Sequence, residues 1–209
     1  MRRAGLLTRR ALVRGAWSTA VYAARGADHA RMEGLRGRVA ALTVGWREGD
    51  LRAVVEANVA RVIPPLVYPE GAALLARHRA AGDLVVVVSS SGAEIVEPVA
   101  RLLGADLAIA TRMAVRNGIY TGEIDYYAYG ETKAEALRTV AAERGLDLAA
   151  AHAYSDSVTD LPMLQAVGRP VAVNPDRALR AHAAASGWPV LDLVKPPRRQ
   201  SSTVPPVRQ

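Results

Sequence analysis

The sequence has no cysteine and no long hydrophobic segment. Without cysteine, the chain has no disulfide bond, no thiol nucleophile and no cysteine-ligated zinc. No apolar run approaches the roughly 18 residues that a transmembrane helix needs, so we expect no membrane span. A cysteine-free chain is compatible with a reducing compartment, and we predict a cytoplasmic protein.

Lysine is scarce, and acidic residues are missing from both ends of the chain. Only two of the 27 basic residues are lysine, Lys133 and Lys195. Residues 1–14 and 195–209 carry nine basic side chains and no acid, so residues 15–194 have a net charge of −2 although the whole chain has +7. A nucleic-acid-binding domain carries a basic face on its body, so we expect no nucleic-acid partner. Binding of the basic ends to anionic lipid or nucleic acid is the weaker alternative.

Hydrophobic spacing predicts an all-helical unit over residues 1–66. Half of the residues are hydrophobic and 22% are charged, which is a globular composition. Apolar residues recur at helical spacing over 6–24, 28–44 and 48–62, and Pro64-Pro65 marks the end of the unit. The Arg-rich start could instead be a processed leader, but Arg14 interrupts its apolar stretch, which favours an amphipathic helix.

Residues 67–194 alternate between strand and helix patterns. The run from Leu84 to Val88 predicts a strand buried on both faces, and Asn117-Gly118 predicts a β-hairpin between strands at 113–115 and 119–124. The other predicted elements are helices at 70–81, 93–103 and 131–144, a short helix after residue 160, and strands at 107–111, 151–154, 171–173 and 190–193. This alternation predicts an α/β fold with a parallel sheet covered by helices on both faces. Residues 195–209, rich in Pro, Ser and Arg, are predicted to be a disordered tail.

Small hydroxyl residues follow the valine-rich strand. Ser89, Ser90 and Gly92 stand where this strand gives way to a helix, which is where doubly wound sheets bind ligands. Free backbone N–H groups at a helix N-terminus favour phosphate, and the Ser89 hydroxyl adds one donor. Serine is also a common helix cap, so capping is the structural alternative.

Two carboxylates four residues apart follow the strand predicted at 151–154. Asp156 and Asp160 can face one cavity, and oxygen ligands of this kind suit Mg²⁺. In the alternative interpretation, Asp156 or Ser157 caps the next helix and Asp160 lies in its first turn.

Lys133 stands near the start of the helix predicted at 131–144. A cation at a helix N-terminus opposes the helix dipole, and pairing with a phosphate or carboxylate would offset that cost. The alternative is a solvated lysine held near Glu131 or Glu135.

Three other groups carry weaker indications. The four histidines show no metal-ligand spacing and are interpreted as surface or satisfied core residues. The segment Asn174–Asp176 either lines the same cleft or forms a turn and cap. Tyr126, Tyr127 and Tyr129 follow the hairpin and can pack at the mouth of the cleft.

Three of these signals occur in the order that haloacid dehalogenase (HAD) phosphohydrolases use. VVVVSSSG resembles the second motif of that superfamily, with Ser89 matching the phosphate-binding serine. YGETKAEAL resembles the third motif through Lys133, and YSDSVTD resembles the fourth through Asp156, with Asp160 beside it. The linking segments resemble subfamily IB, the phosphoserine-phosphatase-like branch.

The resemblance implies a HAD-like Rossmannoid core over residues 67–194 and an N-terminal all-helical cap over 1–66. It implies hydrolysis of a small phosphorylated metabolite through an aspartyl-phosphate. Ser89, Ser90, Gly92 and Lys133 would bind phosphate, with Lys133 counted as catalytic, and Asp156 and Asp160 would hold Mg²⁺.

The first motif of the family, DxDxT, is missing from the sequence. Its first Asp is the nucleophile of the family, and this chain contains no DxD at all. We therefore expect no meaningful turnover by this mechanism from these 209 residues, and we expect the true start of the gene product to lie upstream of Met1. The alternative is a catalytically inactive phosphate-metabolite-binding protein or a relic.

The missing motif has a structural counterpart. In the family, the strand before DxDxT lies between the strands that end at Ser89 and Tyr154, so we expect the central first strand to be absent. Its loss would expose two strand edges and leave the 209 residues marginal or insoluble when expressed alone.

Overall fold

The computed structural model describes residues 42–194 of the chain. The elements, in chain order, are α1 (Glu48–Val62), a 3₁₀ turn (Pro64–Leu66), α2 (Pro69–Ala80), β1 (Val86–Gly92), α3 (Ala93–Leu103), β2 (Leu107–Arg116), β3 (Ile119–Tyr126), α4 (Glu131–Arg144), β4 (His152–Ser155), a second 3₁₀ turn (Val158–Asp160), α5 (Leu161–Gln165), β5 (Arg169–Val173), α6 (Arg177–Ser186) and β6 (Val190–Leu191). The predicted α/β class is confirmed. The helices predicted at 1–41 and the tail at 195–209 lie outside the described residues.

The first sheet has the order β1-β2-β3. Strands β1 and β2 are parallel, whereas β2 and β3 form an antiparallel hairpin. The hairpin turns at Asn117 and Gly118, whose φ angles of 52° and 76° are both positive. Two positive φ angles give the turn the right twist for a two-residue hairpin, which is why Asn-Gly predicts it.

The second sheet has the order β4-β5-β6 and is parallel throughout. Helices α5 and α6 pack its core, which is formed by small and branched side chains: Ala153, Leu164, Val167, Ala172, Leu179 and Ala183. Because the strands are parallel, their carboxyl ends meet at one edge of the sheet. This edge places the segment after β4 beside the segment after β5.

Two details of the predicted sheet are wrong. The strand predicted at 84–88 runs over Val86–Gly92 and is half-buried along its length, not buried on both faces. Val87 packs against α3. Within the described residues, β1 pairs only with β2, so no strand pairs with its other edge. The strands predicted at 107–111 and 113–115 form one strand, β2.

Within residues 42–194, the strands form two three-stranded sheets rather than one. Strands β1 and β4 stand at the ends of these sheets, and no strand hydrogen-bonded to both is present in this part of the chain. In the same residues, no helix has the length and hydropathy to cross a membrane.

A close backbone approach fixes the loop between α5 and β5. A Cβ on Gly168 would lie 1.9 Å from the carbonyl oxygen of Ala149, whereas a Cβ on Gly49 in α1 would meet nothing within 4 Å. We predict that Gly168→Ala lowers the free energy of unfolding by about 1–3 kcal/mol, because backbone must move. The matched control Gly49→Ala raises it by about 0.4–1 kcal/mol. Denaturant titration of both variants measures the difference, and equal effects would contradict the close approach.

Candidate functional site

A buried ion pair lies at the carboxyl end of β4. Lys133 Nζ donates to Asp160 Oδ1 at 2.6 Å, and the two side chains are 5% and 12% exposed. The Ser155 hydroxyl donates to the other carboxylate oxygen of Asp160 at 2.8 Å. Asp160 is thus held through both oxygens, and the solvated interpretation of Lys133 is wrong.

The start of α4 presents Lys133 to this pair. Gly130 precedes the helix with a positive φ of 55°, and Lys133 is the third helical residue. Thr132 fixes the turn, because its hydroxyl oxygen accepts from the Tyr129 N–H at 2.9 Å and its carbonyl accepts from the Tyr126 hydroxyl at 3.0 Å. The Asp160 carboxylate offsets the unfavourable position of a cation at a helix N-terminus.

Hydrogen bonds that cap helical turns involve part of the segment after β4. The Ser157 hydroxyl oxygen accepts from the Thr159 N–H at 3.3 Å and caps the 3₁₀ turn. Asp176 caps α6 by accepting from the Leu179 N–H at 2.8 Å, and its second oxygen accepts from the Val158 N–H at 2.9 Å. The turn-and-cap interpretation of Asn174–Asp176 therefore holds, and this turn also braces the segment after β4.

Asp156 is the carboxylate in this group that accepts no hydrogen bond from another residue among those described. Its backbone carbonyl accepts from the Asp176 N–H at 2.7 Å. Burial of the carboxyl group raises the pKa of Asp156, and repulsion from Asp160 and Asp176 raises it further, against the attraction of Lys133. The residue as a whole is exposed, so its carboxyl group remains accessible to solvent although protein atoms crowd it.

These carboxylates differ in their fitness for a metal ion. Each oxygen of Asp160 and Asp176 accepts a hydrogen bond from a protein donor, whereas the carboxylate of Asp156 accepts none from another described residue. One open carboxylate, with water and substrate oxygens, fits the usual binding of Mg²⁺. Residues 42–194 contain no group of three His, Asp or Glu side chains arranged to hold a metal by themselves.

The serine segment belongs to the other sheet. The Ser91 N–H donates to Ser89 Oγ at 3.2 Å, and the Thr111 hydroxyl donates to the Ser90 carbonyl at 2.8 Å. The pairing of β1 with β2 shifts register between Ser89 and Gly92, so the backbone departs from regular strand geometry where α3 begins. Among the described residues, no hydrogen bond or ion pair joins Ser89, Ser90 or Gly92 to Lys133 or Asp156.

The histidines are engaged in structural contacts where the structure describes them. His78 contacts Asp83 at 2.7 Å through Nδ1 and the Tyr154 hydroxyl at 2.8 Å through Nε2, so α2 is tied to β4. His152 packs edge-on against His78. His29 lies outside the described residues.

Sequence reasoning missed two contributors to the site region. Ser155 supports the ion pair through its hydrogen bond to Asp160, and Glu94 is buried at the start of α3 with only 4% of its surface exposed. Acidic residues are common in the first turn of a helix, so the position of Glu94 did not mark it as a candidate site residue. The available signal was a carboxylate two residues after Gly92, the last residue of the serine segment.

Comparisons with known proteins point to one family. The family model for haloacid dehalogenase-like hydrolases matches residues 1–165. The chain is 53% identical over 195 residues to the "inhibition of morphological differentiation protein" of Streptomyces azureus, covering 93% of this chain and 70% of that protein. It is 48% identical over 192 residues to a probable phosphatase of Mycobacterium tuberculosis, covering 92% and 67%.

Two further similarities are more distant. A phosphoserine phosphatase of M. tuberculosis is 34% identical over 159 residues, which are 76% of this chain and 52% of that enzyme. A crystal structure of a protein with unknown function from Bordetella pertussis Tohama I superposes with a TM-score of 0.71 at 32% identity, covering 91% of this chain and 85% of that one.

The buried ion pair has a large expected effect on stability. We predict that Lys133→Met lowers the free energy of unfolding by about 3–5 kcal/mol, because Asp160 is left as an uncompensated buried charge. The matched control is Arg138→Met, which breaks the exposed pair with Glu131 and should change stability by less than about 1 kcal/mol. If adding Asp160→Leu to Lys133→Met restores no stability, the charge is not the cause of the loss.

The raised pKa of Asp156 predicts a pH-dependent stability difference. As the pH rises above 3.8, the unfolded state loses the Asp156 proton before the folded state does, so ionisation of this group lowers stability. Asp156→Asn should therefore raise Tm at pH 7 in metal-free buffer, by an amount that shrinks as the pH falls toward 3.8. Melting curves between pH 4 and pH 8 measure this, and a variant less stable than wild type at pH 7 would contradict it.

Proposed function

The chain belongs to the haloacid dehalogenase-like hydrolases, and from that membership we propose that it is a phosphatase-type protein for small phosphomonoesters. The observation that carries this proposal is the buried Lys133–Asp160–Ser155 network beside the open carboxylate of Asp156. Such a site combines a lysine ammonium group that is held in place with an acid that can bind a metal ion, and it lies at the carboxyl edge of a parallel sheet. The similarity to a probable phosphatase and to a phosphoserine phosphatase supports the same class of reaction.

Each residue has a distinct proposed role. Lys133 neutralises charge on the phosphate oxygens, and Asp160 positions it by holding the ammonium group in place. Ser89, Ser90 and Gly92, with the N-terminus of α3, bind and orient the phosphate through hydroxyl and backbone N–H donors. Asp156, beside Asp160, would hold Mg²⁺, which supplies charge neutralisation at the transferring phosphoryl group.

The nucleophile is the part of the machinery that this sequence does not contain. In our proposal, phosphoryl transfer proceeds to an aspartate of a DxDxT motif, and no DxD occurs in the 209 residues. The strand carrying that motif would pair between β1 and β4, the end strands of the two described sheets. By themselves, residues 1–209 would bind phosphate and metal without turnover.

We propose that the chain is divided into three parts. Residues 1–66 would form a helical cap that closes over the site, residues 67–194 the core, and residues 195–209 a basic tail. Contact of α1 with α3 is consistent with such a closure, because Arg52 on α1 donates to Glu97 on α3 at 2.8 Å.

Ligand-induced stabilisation of the 209-residue chain tests this proposal. We predict that Mg²⁺ raises Tm, and that inorganic phosphate added with Mg²⁺ raises it further, because both bind the folded state. Asp156→Asn should abolish the Mg²⁺ shift, and Ser89→Ala should reduce the phosphate shift. Ser186→Ala on the exposed end of α6 is the matched serine control and should leave both shifts unchanged.

Phosphate release from p-nitrophenyl phosphate provides the catalytic readout. We expect none from residues 1–209 alone. Mg²⁺-dependent turnover by this chain would overturn the role of the missing aspartate, whereas absence of any Tm shift with Mg²⁺ and phosphate would overturn the binding site.

A further inference from the structure

Thr111 is a buried threonine on β2 that contacts both the serine segment and the loop before α4. Only 6% of its surface is exposed. Its hydroxyl donates to the Ser90 carbonyl at 2.8 Å, and the same oxygen accepts from the Ala128 N–H at 3.3 Å. One side chain therefore connects the end of β1 to the loop that leads to Lys133.

The contact with Ser90 orients a peptide group at the end of β1. The pairing of β1 with β2 shifts register between Ser89 and Gly92, so the regular ladder of hydrogen bonds is interrupted there. The Thr111 hydroxyl donates at this point and fixes the direction of the Ser90 carbonyl. Because the two groups of a trans peptide point in opposite directions, the Ser91 N–H is turned the other way. This N–H donates to Ser89 Oγ at 3.2 Å.

The orientation of this peptide group decides how the Ser89 hydroxyl can be used. A hydroxyl has one proton to donate and lone pairs that accept. One of the lone pairs of Ser89 Oγ accepts from the Ser91 N–H, which leaves the hydroxyl proton for another partner. An ionised phosphate oxygen is an acceptor, so a serine held in this way is ready to donate to it.

The contact with Ala128 reaches the lysine. Ala128 is fully buried in the loop between β3 and α4. On either side of it, the Thr132 hydroxyl accepts from the Tyr129 N–H at 2.9 Å and donates to the Tyr127 carbonyl at 2.5 Å. Thr132 directly precedes Lys133 on α4. Hydrogen bonds therefore run without a break from β2 through this loop to the turn that presents the lysine.

We propose that Thr111 is a positioning residue for phosphate binding. It keeps the Ser89 hydroxyl oriented as a donor, and it fixes the separation between the serine segment and Lys133. Both hydrogen-bonding capacities of its own hydroxyl are used within the protein, so it acts through these two groups rather than on the ligand. The inference rests on the proposed function, in which Ser89 and Lys133 bind the phosphate.

Calorimetric titration of the 209-residue chain tests the assignment, with Mg²⁺ alone and then with inorganic phosphate at saturating Mg²⁺. Thr111→Val removes the hydroxyl and keeps the shape of the side chain. We expect it to weaken phosphate binding about tenfold, because donors that are no longer held in place bind less well. Its Mg²⁺ affinity should not change, since Asp156 follows β4 in the other sheet. Thr111→Ser retains the hydroxyl and should bind phosphate within about twofold of wild type.

Thr121→Val is the matched control on the same hairpin. The Thr121 hydroxyl also joins two backbone groups, because it donates to the Ala114 carbonyl at 3.4 Å and accepts from the Glu123 N–H at 3.2 Å. It has no contact with the serine segment or with the loop before α4. We expect this variant to bind Mg²⁺ and phosphate as wild type does.

A double variant distinguishes positioning from a general loss of stability. In the Ser89→Ala background, Thr111→Val should weaken phosphate binding by a smaller factor than it does in wild type, because part of its effect passes through the Ser89 hydroxyl. A threonine that only stabilised the fold would have the same effect in both backgrounds.

Wild-type protein provides a measurement that needs no variant. In amide NMR spectra at saturating Mg²⁺, added phosphate should shift the N–H signals of Ser91 and Ala128, which lie at the two ends of the proposed connection. The Glu123 N–H signal should not move. This comparison keeps the assignment testable if Thr111→Val fails to fold.

The outcomes separate this inference from the function on which it rests. If wild type binds no phosphate with Mg²⁺, the proposed phosphate site is refuted, and the role of Thr111 falls with it. If wild type binds phosphate but folded Thr111→Val binds it equally well, the site stands and the assignment is overturned. Equal losses of Mg²⁺ and phosphate affinity, no recovery in Thr111→Ser, or an unmoved Ala128 signal would also overturn it.

Discussion

The Lys133–Asp160 pair is the interaction on which the candidate site depends. Taking a lysine out of water costs more than its side chain can recover by packing, so the carboxylate has to be held in place. Asp160 is held by Lys133 on one oxygen and by Ser155 on the other. The same constraint explains the braced segment after β4, because movement of this segment would separate the pair.

Three acids near the carboxyl ends of β4 and β5 have different chemical roles as a result. Asp160 accepts from Lys133 and Ser155, and Asp176 accepts from two backbone N–H groups, so each oxygen of these two acids already has a protein donor. Asp156 has a raised pKa, because its carboxyl group is crowded by protein atoms and because Asp160 and Asp176 repel its charge. An acid kept in such an unfavourable setting is a candidate for binding a positive ion, since functional sites concentrate groups of this kind.

Local patterns predicted the helices closely and the strands less so. Helix α1 matches the prediction at 48–62, α3 at 93–103 and α4 at 131–144, because glycines or prolines stand at their ends. The strands moved by one or more residues, and β2 joined two predicted pieces, because pairing with a neighbour decides where a strand ends. The prediction that β1 is buried on both faces was wrong for a related reason, since burial depends on the elements that pack against the strand, and the sequence of the strand does not specify them.

The sequence by itself determined the order of the elements, the Asn117-Gly118 hairpin and the motifs that carry the family resemblance, because these follow from backbone preferences and spacing within short segments. Only the tertiary structure decided which charges meet. Lys133 and Asp160 are 27 residues apart and Glu94 and Tyr120 are 26 apart, and neither pairing follows from any local pattern. Such contacts depend on how β4 lies against α4 and how the hairpin lies against α3, and these placements are set by the packing of whole elements.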